Sequence, residues 1–222
     1  MTKINSPVSI LELSSTHLRL AIYDQIILNQ RFFYEKKIDF TKNENSIENN
    51  PIHNLIMKAE KDIGQHLNEI ILMIDSSSIH SLDFTIQKNF DNKVVVNEDI
   101  DYLINECKQI IKINNKDKDI LHIIKSKINF DNKIIDDLKN ISQEVHKATV
   151  EIKFIMINKR YSDLVKNLFL NQHISPRNIF CTSYVQSLGH IYKNGISGYS
   201  SFLDIGLKKS SLTIFKDDKL LY

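Results

Sequence analysis

The chain has 222 residues, 42% of them hydrophobic and 25% charged, an ordinary balance for a soluble globular protein that buries one large or two small cores. Lys and Arg number 29 against 27 Asp and Glu, and the formal net charge of +2 gives no sign of the basic face that a nucleic-acid partner requires. Cys107 and Cys181 stand alone with no C-x-x-C pair, and the longest apolar run, IILMI at 70–74, falls far short of the ~20 residues that cross a bilayer. These features predict a reduced cytoplasmic protein with both thiols packed, no signal peptide and no transmembrane segment.

Three strands are expected first, VSILEL, LRLAIYD and IILNQRFFY, separated by polar turns. After the loop-like KNENSIENN, Pro51 suits a first helical turn with Asn50 as its cap, and Ile52, Leu55, Ile56, Ala59 and Ile63 give that helix one apolar face. IILMI then reads as a strand covered on both faces. Residues 78–87 read as a strand and 89–93 as a turn. A helix from Asn97 has Glu98 and Asp99 at its positive end and Cys107 within its apolar stripe. Residues 119–130 and 148–158 are two further strands, so this stretch reads strand, helix, strand, strand. Beyond it come a helix around Leu164–Phe169, a short strand RNIFCTS, and a helix capped by Thr182 or Ser183. The glycine-bearing 194–200 reads as a linker, and strands follow at 201–204, 211–215 and 219–222.

Catalytic signatures are sparse. None of the 8 histidines joins an H-x-x-x-H or H-E-x-x-H pattern, so no metal ion is expected. DSSS at 75–78 lacks the G-x-S-x-G elbow, His122 reads as a packed or hydrogen-bonded histidine, and IDD at 135–137 reads as a solvated turn. Neither a P-loop nor a G-x-G-x-x-G run occurs. What stands out is a pair of similar hairpins, ILELSSTHLRLAIYD (10–24) and FLDIGLKKSSLTIF (202–215), each with an acid ending a strand before a polar turn. Two such turns face to face could hold a nucleotide's phosphates on backbone N–H groups while the acids orient Mg²⁺ through water. Ordinary hairpins share this layout, so pattern alone leaves both readings open.

The chain resembles FtsA, the bacterial cell-division family of the actin/Hsp70 superfamily, over nearly its whole length. ILELSSTHLRLAI falls where that family has its first phosphate turn, and FLDIGLKKSSLTIFKDDKLLY where it has the second. VNEDIDYLINECKQI, ILHIIKSKINFDNK and ATVEIKFIM follow the order of its inserted SHS2 (1C) domain. The resemblance implies an α/β fold: an actin-like (RNase H-like) half-domain of residues 1–77 and 159–200, an inserted α+β domain at 78–158, and the first hairpin of a second actin-like subdomain at 201–222. It implies a non-enzymatic division scaffold at the septum, peripheral to the inner face of the membrane, that contacts FtsZ and other division proteins and self-associates. The implied cofactor is ATP with Mg.

The departures bear on that cofactor. Carried over, the phosphate-turn positions are Glu12, Ser14 and Ser15 in the first turn and Asp204, Gly206, Lys208 and Lys209 in the second. Ser14 stands for a glycine and His17 for a lysine-like residue. Leu207, Lys208 and Lys209 replace Gly-Gly-Thr, and Ser211 replaces the last Asp. Glycine allows the backbone to approach phosphate closely, so weak or lost ATP binding is expected. The family's adenosine-binding glycines and its amphipathic membrane helix fall beyond Tyr222. The alternatives are a PilM-like pilus-assembly scaffold and a small ATP-dependent enzyme of the actin-like superfamily.

Overall fold

The structure, a computed structural model, describes residues 7–14, 16–24, 30–37, 49–135, 141–207 and 209–222. Strands β1 (Pro7–Leu13), β2 (His17–Asp24) and β3 (Gln30–Lys37) form an antiparallel meander. Their period-2 alternation places Leu11, Leu13, Leu18, Leu20 and Ile22 on one buried face. Helix α1 (Asn49–Ile63) covers that face with the predicted Ile52, Leu55, Ile56, Ala59 and Ile63. It returns the chain so that β4 (Glu69–Ile74) lies parallel to β1. Ile70, Leu72 and Ile74 are buried there while Ile71 and Met73 are only half-buried, so β4 is less fully covered than its all-apolar run suggested.

Between β4 and the helix α3 (Lys159–Leu170) lies a separate antiparallel sheet, consisting of β5 (His80–Val96), β6 (Lys118–Phe130), β7 (Lys133–Ile134) and β8 (Ser142–Asn158) in the order β5-β8-β6-β7. Helix α2 (Asn97–Asn114) packs on it, and Ile100, Leu103, Cys107, Val150 and Phe154 share a core distinct from that of the first sheet. Burial pushes the Cys107 thiol up to about 11, which leaves it an inert packing group as the apolar stripe foretold. The expected turn at 89–93 is instead a bulge within one long strand. Asp91 and Asn92 adopt positive φ of 52° and 61°, and pairing with β8 resumes at Lys93. Asp131 and Asn132, also at positive φ, close the two-residue hairpin from β6 to β7, an element absent from the sequence reading.

After α3, β9 (Ser175–Cys181) adds to β4 in parallel and completes the sheet β3-β2-β1-β4-β9. Helix α4 (Thr182–Asn194) has the extended Cys181 as its N-cap, with no side-chain cap bond, so Thr182 and Ser183, expected as caps, already lie inside the helix. Gly195 ends α4 in the left-handed conformation (φ 60°), so the stretch read as a linker is a helix cap running directly into a strand. Strands β10 (Tyr199–Ile205), β11 (Ser210–Lys216) and β12 (Lys219–Leu220) form the last sheet. Phe202 and Phe215 turn inward toward α4, where the buried Ser187 and Thr213 hydroxyls meet at 2.7 Å.

Candidate functional site

The two candidate turns lie at the ends of β1 and β10, and β4 ends between them. In the first turn Ser14 acts as a local staple. Its Oγ accepts hydrogen bonds from the Thr16 and His17 amides, at 3.4 and 3.0 Å, and donates to the His17 carbonyl at 3.1 Å. Ser14 N–H also donates to the His17 carbonyl, at 3.0 Å. This is serine turn chemistry, in which a hydroxyl gathers the amides that would otherwise face outward. Ser15 lies outside the described residues.

Glu12 sits opposite Arg19 in the β1–β2 register, and the Arg19 guanidinium donates to both of its carboxylate oxygens at 3.3 and 3.4 Å. Arg19 also donates from Nε to Glu35 on β3 at 2.9 Å. The Glu35 hydrogen bond, with Glu12 beside it, raises the Arg19 pKa further, and the same hydrogen bond lowers that of Glu35. Glu12 is thus one member of a three-residue charge ladder across β1, β2 and β3. Arg19 was missed in the sequence, although hairpin register alone sets it opposite Glu12.

In the second turn Gly206 N–H donates to the Lys209 carbonyl at 2.9 Å. A Cβ at Gly206 would lie 2.7 Å from that same oxygen, so turn closure by itself requires glycine here. Asp204 is exposed and pairs with Ser211 in the ladder. Lys208 lies outside the described residues. Lys209 points away from solvent, with Nζ 3.1 Å from Oδ1 of Asp75 at the end of β4, and the two side chains are only 18% and 15% exposed. Asp75 N–H in turn donates to the Leu13 carbonyl at 3.2 Å. The structure therefore brings both turns together through Asp75, a residue the sequence offered only within DSSS. The available signal was an acid directly ending an apolar strand.

His122 on β6 is a packed histidine, as expected. Its Nε2 accepts the Cys181 amide at 2.9 Å, so the ring is neutral with its proton on Nδ1, and it packs against Phe180 and Tyr184. Burial lowers its pKa to about 4. This bond ties the inserted sheet to the start of α4. Beside that junction, α2, β6, α3 and β9 enclose a recess of about 480 Å³ lined by Lys108, Lys112, Lys166 and Arg177. Its acid, Asp119, is held by Lys166 at 2.8 Å. Among the described residues no cluster of three or more His, Cys, Asp or Glu could hold a metal ion, and no helix is long and apolar enough to cross a membrane.

A five-stranded sheet with an α+β insertion, and a hairpin sheet facing it across two turns, define the actin-like fold. Solved structures that share it include a chain of the PilM-PilN type IV pilus biogenesis complex, with a TM-score of 0.60 and 12% identity over 100% of this chain and 61% of that one. A Bacteroides thetaiotaomicron protein with an actin-like ATPase fold and unknown function matches with a TM-score of 0.50 and 12% identity, covering 99% of this chain and 69% of that one. Ethanolamine utilization protein EutJ from Carboxydothermus hydrogenoformans matches with a TM-score of 0.50 and 8% identity, covering 98% and 50%. The chain spans about three fifths of the pilus protein's length and half of EutJ's. No protein-family model matches it, and no curated protein matches it in sequence. The actin-like part of the sequence expectation is met.

Proposed function

We propose that the chain is a non-enzymatic actin-like scaffold that works through protein–protein contacts and binds ATP weakly or not at all. The observation behind this reading is the first turn, where Ser14 Oγ already takes the Thr16 and His17 amides. Phosphate is gripped by backbone N–H groups that point outward unsatisfied, together with cations or metal-orienting acids. Here Glu12 is held by Arg19, and Lys209 is committed to Asp75. These residues do not fit a Mg-nucleotide, and we derive no chemical step through one.

Surfaces suited to protein contacts support the same reading. Leu203, Ile205 and Leu212 are exposed on one face of the last hairpin, with Leu207 exposed at its tip. The basic recess beside α2 suits an acidic segment of a partner.

For the machine served, the order of the sequence motifs supports a division scaffold like FtsA, in contact with FtsZ and later division proteins at the inner face of the membrane. The likeness to the pilus-biogenesis chain, across all of this one, supports a second reading as a pilus-assembly scaffold with a PilN-like partner. Depletion in the native cell separates them when cell length and surface pili are scored together. Filamentous cells with normal pili are the expected result. Lost pili with normal division would assign the chain to the second reading, and no change in either would overturn both.

A further inference from the structure

We infer that the Asp75–Lys209 pair is a built-in clasp that holds the two turns together without a ligand. The inference rests on the scaffold reading above and adds what lies between the turns: a side-chain ammonium of the chain itself. Asp75 is joined to both sides. Its backbone N–H is fixed to Leu13 O of the first turn, and its Oδ1 takes Lys209 Nζ of the second, 134 residues away. The second turn is seated closely as well, since a Cβ placed on Gly206 would come within 3.9 Å of Asp75 Oδ2. With both partners mostly shielded from water, the pair is screened less than a surface salt bridge and is held in one geometry by two anchored backbones.

The clasp acts at one end of the hairpin only. At the other, α4 grips β11 through the Ser187–Thr213 bond and the Phe215 contacts, and Asp217 is tied to Gly198. Removing the clasp therefore frees the turn end of the sheet and leaves the hairpin attached. The consequence is that, in the ligand-free chain, the approach of the two turns answers to charge at Asp75 and Lys209.

Hydrogen exchange on the whole chain tests this. In Lys209→Met and in Asp75→Asn, peptides covering 69–76 and 203–212 should exchange about tenfold faster. Peptides from the inserted core around 150–156 should keep their native rates, which shows that the variants are folded. Lys209→Arg, which keeps the cation, should restore slow exchange in both segments. Unchanged rates in both segments in Lys209→Met and in Asp75→Asn would overturn the clasp. A Mg-ATP titration of the native chain is the separate measure of the scaffold reading. Tight binding there together with fast exchange of these two segments in the variants would sink that reading and leave the clasp standing.

Discussion

Phe154→Ala is expected to lower the free energy of unfolding by about 3–5 kcal/mol, the range for deleting a buried phenyl ring. Phe154 is 0% exposed on β8, the strand flanked by β5 and β6, opposite Leu82 on β5 and Ile123 on β6, with α2 packed on the same core. The strand cannot move toward the gap without breaking register on two sides, so the cavity persists. For a chain of this length the melting temperature should fall by roughly 6–20 °C. Ile134→Ala, on the edge strand β7 and 57% exposed, should change stability by less than about 0.5 kcal/mol. Denaturant melts of the two variants give the comparison, and equal effects would show that 80–158 lacks the dense core described.

The second large effect is a dependence on pH centred on His122. In the unfolded chain its imidazole takes a proton near pH 6.5, whereas the folded group resists protonation down to about 4 because it is buried and its Nε2 already accepts the Cys181 amide. Below pH 6.5 the unfolded state binds the extra proton, so stability is lost as pH falls from 6.5 toward 4 and is fully present above that window. The contribution is on the order of 3 kcal/mol. His122→Gln keeps an acceptor for the Cys181 amide and removes the titration. Its stability should vary less between pH 4 and 6.5 than that of the native chain. Parallel slopes in the two proteins would rule out His122 as the source.

What was legible in the sequence was what local physics decides. Apolar alternation marks β1, β2 and β8, and the acids at Glu98 and Asp99 mark the start of α2, where Asp99 accepts the Val96 amide as a cap. The motif order identified the actin-like fold, since each core strand keeps its place even where the turn residues have changed. The continuation of β5 past Asn92 was not legible, because Asp91 and Asn92 carry turn chemistry and only pairing with β8 carries the strand onward. Nor was β7 legible, two residues held by register alone. At the candidate site, Glu12 and Gly206 drew attention for the right positions, but the sequence did not reveal their partners. Arg19 faces Glu12 across a hairpin, within reach of a register argument. Asp75 and Lys209 meet only because β4 and the last hairpin converge in space, a long-range consequence of the fold. Ser14 looked like a lost glycine and proved to be a turn-closing hydroxyl.

The central claim is that the two turns are satisfied from within, by Ser14 in one and by Asp75 and Lys209 across the other. Titrating the purified chain with Mg-ATP by calorimetry tests it most directly. The expected result is no saturable binding at ligand concentrations up to about 1 mM, the weak end of the affinity scale. Saturable binding in the low micromolar range, abolished by Asp204→Asn, would contradict it.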